Sequence, residues 1–182
     1  KTLDKVRPGG VIAFITSSGT MDKRNSNVRK YIAQRAELLG AIRLPNNTFK
    51  ANAGTEVTSD ILFLQKRNTL VNDEPDWVHL DRDENGNEYN KYFVDHPEMV
   101  LGEMVMESSQ FGHSLTCKPY EDRSLSDLLS EAVQNIHAEI TEFDISEIGE
   151  VEDNSVPADP NVKNFSFTVV EDKIYYRQNS RM

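Results

Sequence analysis

The stretch Pro8-Gly9-Gly10-Val11-Ile12-Ala13-Phe14-Ile15 decides the fold of this chain. Proline cannot continue the hydrogen bonds of a helix and glycine accepts a left-handed turn, so residues 8–10 end the helix that we expect over residues 1–6. The five residues that follow are apolar, and most are β-branched or aromatic. Such a run is typical of a strand buried on both faces of a parallel sheet. We therefore predict an α/β fold.

Small polar residues follow this strand, from Thr16 to Thr20. Because open α/β sheets place their ligands at the carboxyl ends of strands, Thr16, Ser17 and Ser18 are candidates for orienting a polar edge of a substrate. A simple capped loop is the alternative for the same residues. The serines lack the glycine-flanked elbow of a hydrolase nucleophile, so we exclude a serine hydrolase. The glycines precede the strand instead of following it, which excludes a dinucleotide-binding fingerprint.

A helix and two further strands complete this first region. Asn25 or Ser26 can cap the helix, and we expect Gly40 to close it. Strands are predicted at residues 41–44 and 60–64, separated by a loop rich in Asn, Gly and Thr. The order of elements indicates the tail of an α/β domain whose earlier strands lie elsewhere. The expected buried face of the helix contains Val28, Tyr31, Ile32, Arg35 or Ala36, and Leu39, with Arg29 mainly on the other side.

The charge of the chain is segregated along its sequence. The formal net charge is −10, but residues 1–67 carry 12 basic and 5 acidic side chains, whereas residues 68–182 carry 8 basic and 25 acidic ones. A basic first part is compatible with a surface that faces phosphates, and the acidic remainder is poorly suited to broad contact with DNA. Two ordinary solvated faces are the alternative explanation of the same pattern.

The composition changes after Arg67, and we place a second, acidic region at residues 68–182. Residues 68–75 are polar with a proline, which is typical of a linker. Residues 141–161 are acidic and are expected to be extended or mobile. We predict a small α+β accessory or connector region with hairpins and one long helix. Its expected elements are a hairpin at 77–80 and 88–94 that turns at Asn85-Gly86, a helix over 124–140, and a hairpin at 165–170 and 173–177.

The sequence argues against several other classes of protein. The longest apolar run is far shorter than a membrane span and no signal-like stretch is present, so we expect a cytoplasmic protein. The single cysteine, Cys117, excludes a disulfide framework and is interpreted as a small half-buried thiol. Asp81-x-Asp83-x-Asn85-Gly86 matches the opening of a calcium loop, but Tyr92 stands where that loop requires a carboxylate, so a polar turn is favoured. No metal site is expected, because the histidines are scattered: His79, His96, His113 and His137.

Two parts of the first 67 residues together resemble a known enzyme family. Residues 3–15, LDKVRPGGVIAFI, resemble the helix, proline-glycine-glycine and apolar strand found late in class I S-adenosylmethionine-dependent methyltransferases. Residues 39–49, LGAIRLPNNTF, and 55–66, TEVTSDILFLQK, resemble the closing strands of adenine-specific DNA methylases related to type I modification subunits. The resemblance implies that residues 1–67 are the C-terminal part of a class I, Rossmann-like methyltransferase sheet.

The family transfers a methyl group from S-adenosylmethionine to the exocyclic amine of adenine in DNA. Its catalytic tetrapeptide, Asn or Asp followed by Pro-Pro-Tyr or Pro-Pro-Phe, and its glycine-rich cofactor loop precede the helix with which this sequence opens. Neither occurs in residues 1–182. The resemblance therefore implies no catalytic residue here and no S-adenosylmethionine bound to this chain alone. We expect the chain, which starts at Lys1, to be an internal and inactive piece of a longer methyltransferase.

The resemblance also assigns a residue to the target base. Phe49 matches the aromatic residue that stacks on the flipped adenine, and stacking on an aromatic face is worth about 1–3 kcal/mol per base. Thr16 and Ser17 would face the same pocket. A plain core residue is the alternative for Phe49. The candidates for contacts with DNA phosphates, which add affinity but no sequence information, are Lys23, Arg24, Arg29 and Lys50.

The region at residues 68–182 shows no catalytic pattern. The whole chain is similar, more loosely, to the large methylase-helicase proteins of bacterial mobile elements. That likeness implies a connector between an upstream methyltransferase half and a downstream helicase portion. The alternative is a non-catalytic interaction or DNA-recognition module of a larger DNA-processing protein. Exposed sheet edges also favour pairing between copies, so a homo-oligomer is compatible with the sequence.

Overall fold

A computed structural model describes residues 2–109, 112–142, 156–171, 173–177 and 181. The chain divides into two compact units, residues 1–143 and residues 144–182. The first unit contains a three-stranded sheet, two short hairpins and five helices of four to ten residues, as far as its described part shows. The second unit contains one hairpin in its described part.

The central sheet consists of β1 (Val11–Ser17), β2 (Ala36–Leu44) and β3 (Ser59–Lys66) in the order β1-β3-β2. β3 runs antiparallel to both neighbours, so β1 and β2 point in the same direction. A mixed α/β architecture is therefore confirmed. The prediction that residues 11–15 lie in a parallel sheet and are buried on both faces is wrong: β1 pairs with an antiparallel strand, and Val11 and Ile15 are 50% and 60% exposed on one face.

The first helices differ from the predicted ones. A 3-10 turn at Leu3–Lys5 stands where a helix over residues 1–6 was expected, with Lys1 outside the described residues. The short helix α1 (Gly19–Asp22) follows β1, and α2 (Asn27–Ala33) ends well before Gly40. Gly40 lies instead within β2, next to a bulge. The Ala-Glu-Leu-Leu sequence at 36–39 has high helix propensity, but hydrogen bonding to β3 overrides it.

The predicted inner face of α2 is also wrong. Its buried residues are Arg29 and Ala33, whereas Val28 and Tyr31 are exposed. The physical reason is that the Arg29 guanidinium finds acceptors inside the protein: its Nε donates to the Val78 carbonyl at 2.7 Å and its Nη1 donates to the Lys23 carbonyl at 2.7 Å. A buried cation that satisfies its hydrogen bonds can replace an apolar stripe.

The part of the first unit that follows β3 contains both predicted and unpredicted elements. The turn at Asn85-Gly86 is confirmed, with Gly86 at a φ of 81° and the Asp83 carboxylate accepting from the backbone of Asn85 and Asn87. The predicted strands at 77–80 and 88–94 are wrong in extent, because residues 76–78 form a 3-10 turn and residues 91–95 form a helix. The predicted helix is capped by Ser124, whose side chain accepts from the Asp127 amide, but it ends at Gln134. A second hairpin, whose strands are Glu103–Ser109 and Gly112–Lys118, was not predicted. The elements are a 3-10 turn at Asp76–Val78, β4 (Leu80–Arg82), β5 (Glu88–Asn90), α4 (Lys91–Asp95), a 3-10 turn at Pro97–Met99, β6 (Glu103–Ser109), β7 (Gly112–Lys118) and α5 (Leu125–Gln134).

One hydrophobic cluster joins the sheet to these later elements. It contains Ile42 and Leu62 from the sheet, Trp77 and Phe93 from the segment after β3, and Leu128 from α5. The division of the chain at residue 67 stays a prediction. In the structure, residues on both sides of that position share a core.

The second unit contains β8 (Phe167–Val170) and β9 (Lys173–Tyr176), which form the predicted antiparallel hairpin. Of the acidic stretch expected to be extended or mobile, residues 143–155 lie outside the described residues. No helix in the described ranges is long and apolar enough to cross a membrane.

Candidate target-base site

The carboxyl ends of β1 and β2 lie at the same edge of the sheet, on either side of β3. The loop after β1 begins at Ser18, and the loop after β2 runs from Pro45 to Thr58 and contains the short helix α3 (Lys50–Ala53). We call this second segment the Phe49 loop. The Ser18 amide donates to the Thr58 carbonyl at 2.9 Å, so the two loops are in direct contact. The structure therefore brings the predicted residues of β1 and of the Phe49 loop to the same edge.

Thr16 and Ser17 do not face the same side of the sheet. Ser17 is exposed, whereas the Thr16 hydroxyl is buried and has no hydrogen-bond partner among the described residues. Adjacent residues of a strand point to opposite faces, so these two side chains cannot line one pocket wall together. An unsatisfied buried hydroxyl costs about 1–3 kcal/mol. A hydrogen bond from a ligand would therefore stabilise Thr16 more than Ser17.

Phe49 stands at the start of α3 and is half-buried. Its side chain packs against the main hydrophobic cluster. The loop around it is stabilised locally, because the Thr48 hydroxyl donates to the Pro45 carbonyl at 2.7 Å. A half-buried aromatic residue on a loop at the ligand edge of a sheet is compatible with stacking on a base and with a purely structural role.

The four candidate phosphate contacts divide into three exposed side chains and one buried one. Lys23 is exposed, the Arg24 side chain pairs with Glu88 at 3.3 Å, and Lys50 pairs with Glu56. Arg29 is buried, and burial lowers the pKa of its guanidinium, opposed by the nearby Asp22. Because two carbonyls already hold the Arg29 guanidinium, we leave it out of the proposed DNA contacts.

A buried ion network lies beneath this edge, and the sequence motifs did not indicate it. The Arg43 guanidinium donates to both carboxylate oxygens of Asp60, at 2.8 and 3.0 Å, and to Asp22 at 2.9 Å. Burial disfavours the charge, but the two carboxylates more than offset it and raise the pKa of Arg43. The guanidinium also lies 4.3 Å from the centre of the Phe93 ring. The sequence did contain a signal for this pair: Arg43 and Asp60 each lie in an otherwise apolar strand, and charged residues are seldom buried unless they are paired.

The network extends to the elements that follow the sheet. Asp22 accepts from the backbone amide of Asn90 at 3.1 Å, and the Asn90 side chain donates to the carbonyls of Met21 and Trp77. Asn90 is buried and also caps α4. The loop after β1 is therefore fixed to the β4–β5 hairpin as well as to the sheet.

Strand β7 holds the Phe49 loop at both ends. At the first end, the Asn46 amide donates to the Cys117 carbonyl at 2.8 Å. At the second end, the Thr58 hydroxyl lies 3.2 Å from the Thr116 hydroxyl and accepts from the Cys117 amide at 2.9 Å. We call these contacts the β7 clamp. Cys117 itself is buried, more deeply than predicted, and burial raises the pKa of its thiol to about 12.

The described residues at this edge were compared with two kinds of site, a cluster of metal-binding side chains and a glycine-rich turn. Within the described ranges, His, Cys, Asp and Glu form no group of three or more that could hold a metal ion. Gly9 and Gly10 precede β1, and the open left-handed turns at Gly54 and Gly86 lie in the Phe49 loop and in the β4–β5 hairpin. None of these four glycines lies between a strand and the helix that follows it.

Comparison with known proteins gives one family and one relative. Residues 1–96, more than half of the chain, match the family described as N-6 DNA Methylase. The chain is 34% identical over 80 residues to Defense against restriction protein B of Escherichia phage P1. Those residues are 43% of this chain and 4% of the phage protein, so the chain spans a small part of that relative. No solved structure matches.

Proposed function

The chain belongs to the N-6 DNA methylase family, and on that premise we propose that it forms part of an enzyme that methylates the N6 amine of adenine in DNA. S-adenosylmethionine supplies the methyl group in this proposal. The observation that carries it is the extent of the family match, which contains the whole three-stranded sheet and the Phe49 loop. The chain would complete the sheet of a class I fold related to type I modification subunits and provide one wall of the target-base pocket.

The geometry of the Phe49 loop supports the role of Phe49 in that pocket. A base taken out of the duplex loses its stacking, and an aromatic ring restores about 1–3 kcal/mol of it. The β7 clamp fixes both ends of the loop and the core holds one side of Phe49. A ring that is already positioned loses little conformational entropy when the base arrives. Thr16, with its buried hydroxyl, is the second residue that we assign to the pocket, and we leave out Ser17 because its side chain points to the other face of β1.

Exposed basic residues near this edge support contact with DNA phosphates. We propose Lys23, Arg24 and Lys50 for these contacts. Arg24 and Lys50 pair with Glu88 and Glu56 in the free chain. Because exposed ion pairs are worth little, a phosphate can replace either carboxylate at small cost. Each contact would strengthen binding to any DNA sequence equally.

The cofactor and the catalytic tetrapeptide belong to another part of the enzyme in this proposal. The sequence contains no Pro-Pro pair, and its glycines do not form the cofactor loop. We therefore propose that residues 1–182 alone are inactive and bind no S-adenosylmethionine. The partners would be DNA, an upstream methyltransferase half and a downstream helicase portion, all in the cytoplasm.

The phage relative supports a protective role for the methylation. Its name states a defence against restriction. The N6 amine of adenine is a hydrogen-bond donor in the major groove, where sequence-reading proteins recognise it. A methyl group on N6 changes the edge of adenine that such proteins recognise in the major groove. We propose that the enzyme protects the DNA of a mobile element in this way.

The test compares the full-length product of the gene with residues 1–182 alone. Both are incubated with DNA and S-adenosylmethionine labelled with tritium on the methyl group, and incorporation into DNA is counted. We expect incorporation by the full-length product and none by the isolated chain. Turnover by a pure preparation of the isolated chain would contradict the assignment of the cofactor site to another part of the enzyme.

A further inference from the structure

A cavity of about 320 Å³ lies beside the Phe49 loop. One wall contains Pro45, Asn47 and Thr48 from the start of that loop, and another contains Pro119, Tyr120 and Arg123 from the segment that follows β7. The β7 clamp connects these walls, because the Asn46 amide bonds to the Cys117 carbonyl. The volume falls within the range of about 300–1,000 Å³ that is usual for small-ligand pockets.

The lining of the cavity suits a flat and mainly apolar ligand. The buried Leu101 and Leu128 contribute apolar surface, together with Pro45 and Pro119. Tyr120 contributes an aromatic ring that is 39% exposed. Because the ring is partly exposed on the wall of the cavity, a ligand can stack on it and bury its exposed surface.

Polar groups at the rim suit a ligand with a hydrogen-bonding edge. The exposed Asn47 offers an amide donor and an amide acceptor. The Thr48 hydroxyl donates to the Pro45 carbonyl, so its oxygen keeps acceptor capacity. An Asn amide can bind both N6 and N7 of adenine at once.

The charges around the cavity disfavour an anion. The Nη2 group of Arg123 donates to both carboxylate oxygens of Glu131 on α5, at 2.7 and 2.6 Å. The neighbouring Glu121 and Asp122 are exposed carboxylates. These carboxylates disfavour an anion inside the cavity but not a neutral base, so the phosphates of a bound nucleotide would lie outside it.

We propose that this cavity is a second nucleobase site, which takes an unpaired base, adenine preferred, through stacking on Tyr120 and hydrogen bonding to Asn47. The inference rests on the proposed function, since it assumes that the chain meets DNA with a base already extruded at Phe49. The occupant is a nucleotide near the target base, because the cavity and Phe49 share one loop. The segment after β7 thereby contributes to the choice of DNA sequence.

The experiment measures binding of the full chain to a fluorescein-labelled single strand of twelve deoxyadenosines by anisotropy, in about 50 mM salt to preserve weak binding. We expect Tyr120→Ala to raise Kd about tenfold and Tyr120→Phe to leave it within about twofold, because loss of base stacking accounts for changes of this size. Tyr31→Ala is the matched control, since Tyr31 is 40% exposed on α2 and lies outside the cavity. Asn47→Ala should weaken binding of the adenine strand more than binding of a thymine strand.

Two results would overturn the second base site. One is a wild-type chain that binds the adenine strand while Tyr120→Ala and Asn47→Ala leave Kd unchanged. The other is the absence of measurable binding by the wild-type chain. Neither result bears on the methyltransferase proposal, which is tested by methyl transfer with the full-length gene product. Circular dichroism of each variant confirms that it is folded, and Asn47→Ala, on an exposed loop residue, is the variant least able to disturb the fold.

Discussion

At the scale of the single residue, Phe49 carries the proposed contact with the target base. It is half-buried, and the β7 clamp fixes the ends of its loop. In the full-length gene product we expect Phe49→Ala to lower kcat/KM for DNA methylation by about 10- to 100-fold, because stacking worth about 1–3 kcal/mol is lost. Phe49→Trp should retain most of the rate. An unchanged rate in Phe49→Ala would remove Phe49 from the base pocket.

Arg43 is the residue on which the packing beneath the site depends most. Its removal leaves the fully buried Asp60 without a counter-charge, which typically costs 3–5 kcal/mol. We expect Arg43→Met to lower the free energy of unfolding in urea by about that amount, and Arg43→Met combined with Asp60→Asn to recover part of it. Arg82→Met is the control, because the Arg82 side chain is 69% exposed and should change stability by less than about 0.5 kcal/mol. Equal effects of the two arginine substitutions would contradict the structural role of Arg43.

Cys117 allows a clean test of burial, because it is the only cysteine of the chain. Burial raises the pKa of its thiol from 9.0 to about 12. We expect no reaction of the native chain with Ellman's reagent at pH 8, and one thiol per chain after unfolding. The folded chain keeps this proton at pH values where the unfolded chain loses it, so this group's contribution to stability falls as pH rises from about 9 towards about 12. Fast native labelling would show that β7 does not cover the thiol.

At the scale of elements, the β7 clamp determines how rigid the Phe49 loop is. Thr58→Val removes a hydroxyl that bonds to Thr116 and to the Cys117 amide. We expect a loss of about 1–3 kcal/mol in stability and faster hydrogen exchange at the amides of Asn46 and Cys117. Thr55→Val, at an exposed position of the same loop, should change neither quantity. Unchanged exchange in Thr58→Val would mean that the clamp does not hold the loop.

The sequence predicted those elements whose pattern is local. The strands at residues 11–15 and 60–64, the turn at Asn85-Gly86 and the Ser124 cap follow from apolar runs, turn residues and capping residues, and the structure confirms them. These features depend on few residues that are close in sequence.

Features that depend on distant partners escaped prediction. Residues 36–39 form a strand against their helix propensity because β3 pairs with them. The sides of α2 were assigned wrongly because the acceptor of Arg29 is Val78, 49 residues away. The clamp by β7 and the Arg43 network likewise join residues far apart in the chain. Periodicity carries no information about such pairs.

At the scale of the whole molecule, the feature that matters most is the exposed apolar face of β1. Val11 and Ile15 are exposed there, although the sequence reads as a fully buried strand. In the class I fold that we propose for the full-length enzyme, helices packed on the sheet would cover this face. We expect Ile15→Thr to change the stability of residues 1–182 by less than about 0.5 kcal/mol and to destabilise the full-length product by about 1–3 kcal/mol. Equal small effects in both proteins would contradict the proposed covering of this face of β1.

The most direct test of the methyltransferase assignment is to identify the methylated product. DNA is incubated with the full-length gene product and S-adenosylmethionine, digested to nucleosides and separated by liquid chromatography with mass spectrometry. The proposed function predicts N6-methyldeoxyadenosine as the product, with about 10- to 100-fold less of it from the Phe49→Ala variant under initial-rate conditions. The absence of N6-methyldeoxyadenosine with the wild-type protein, or a methyl group on another base, would contradict it.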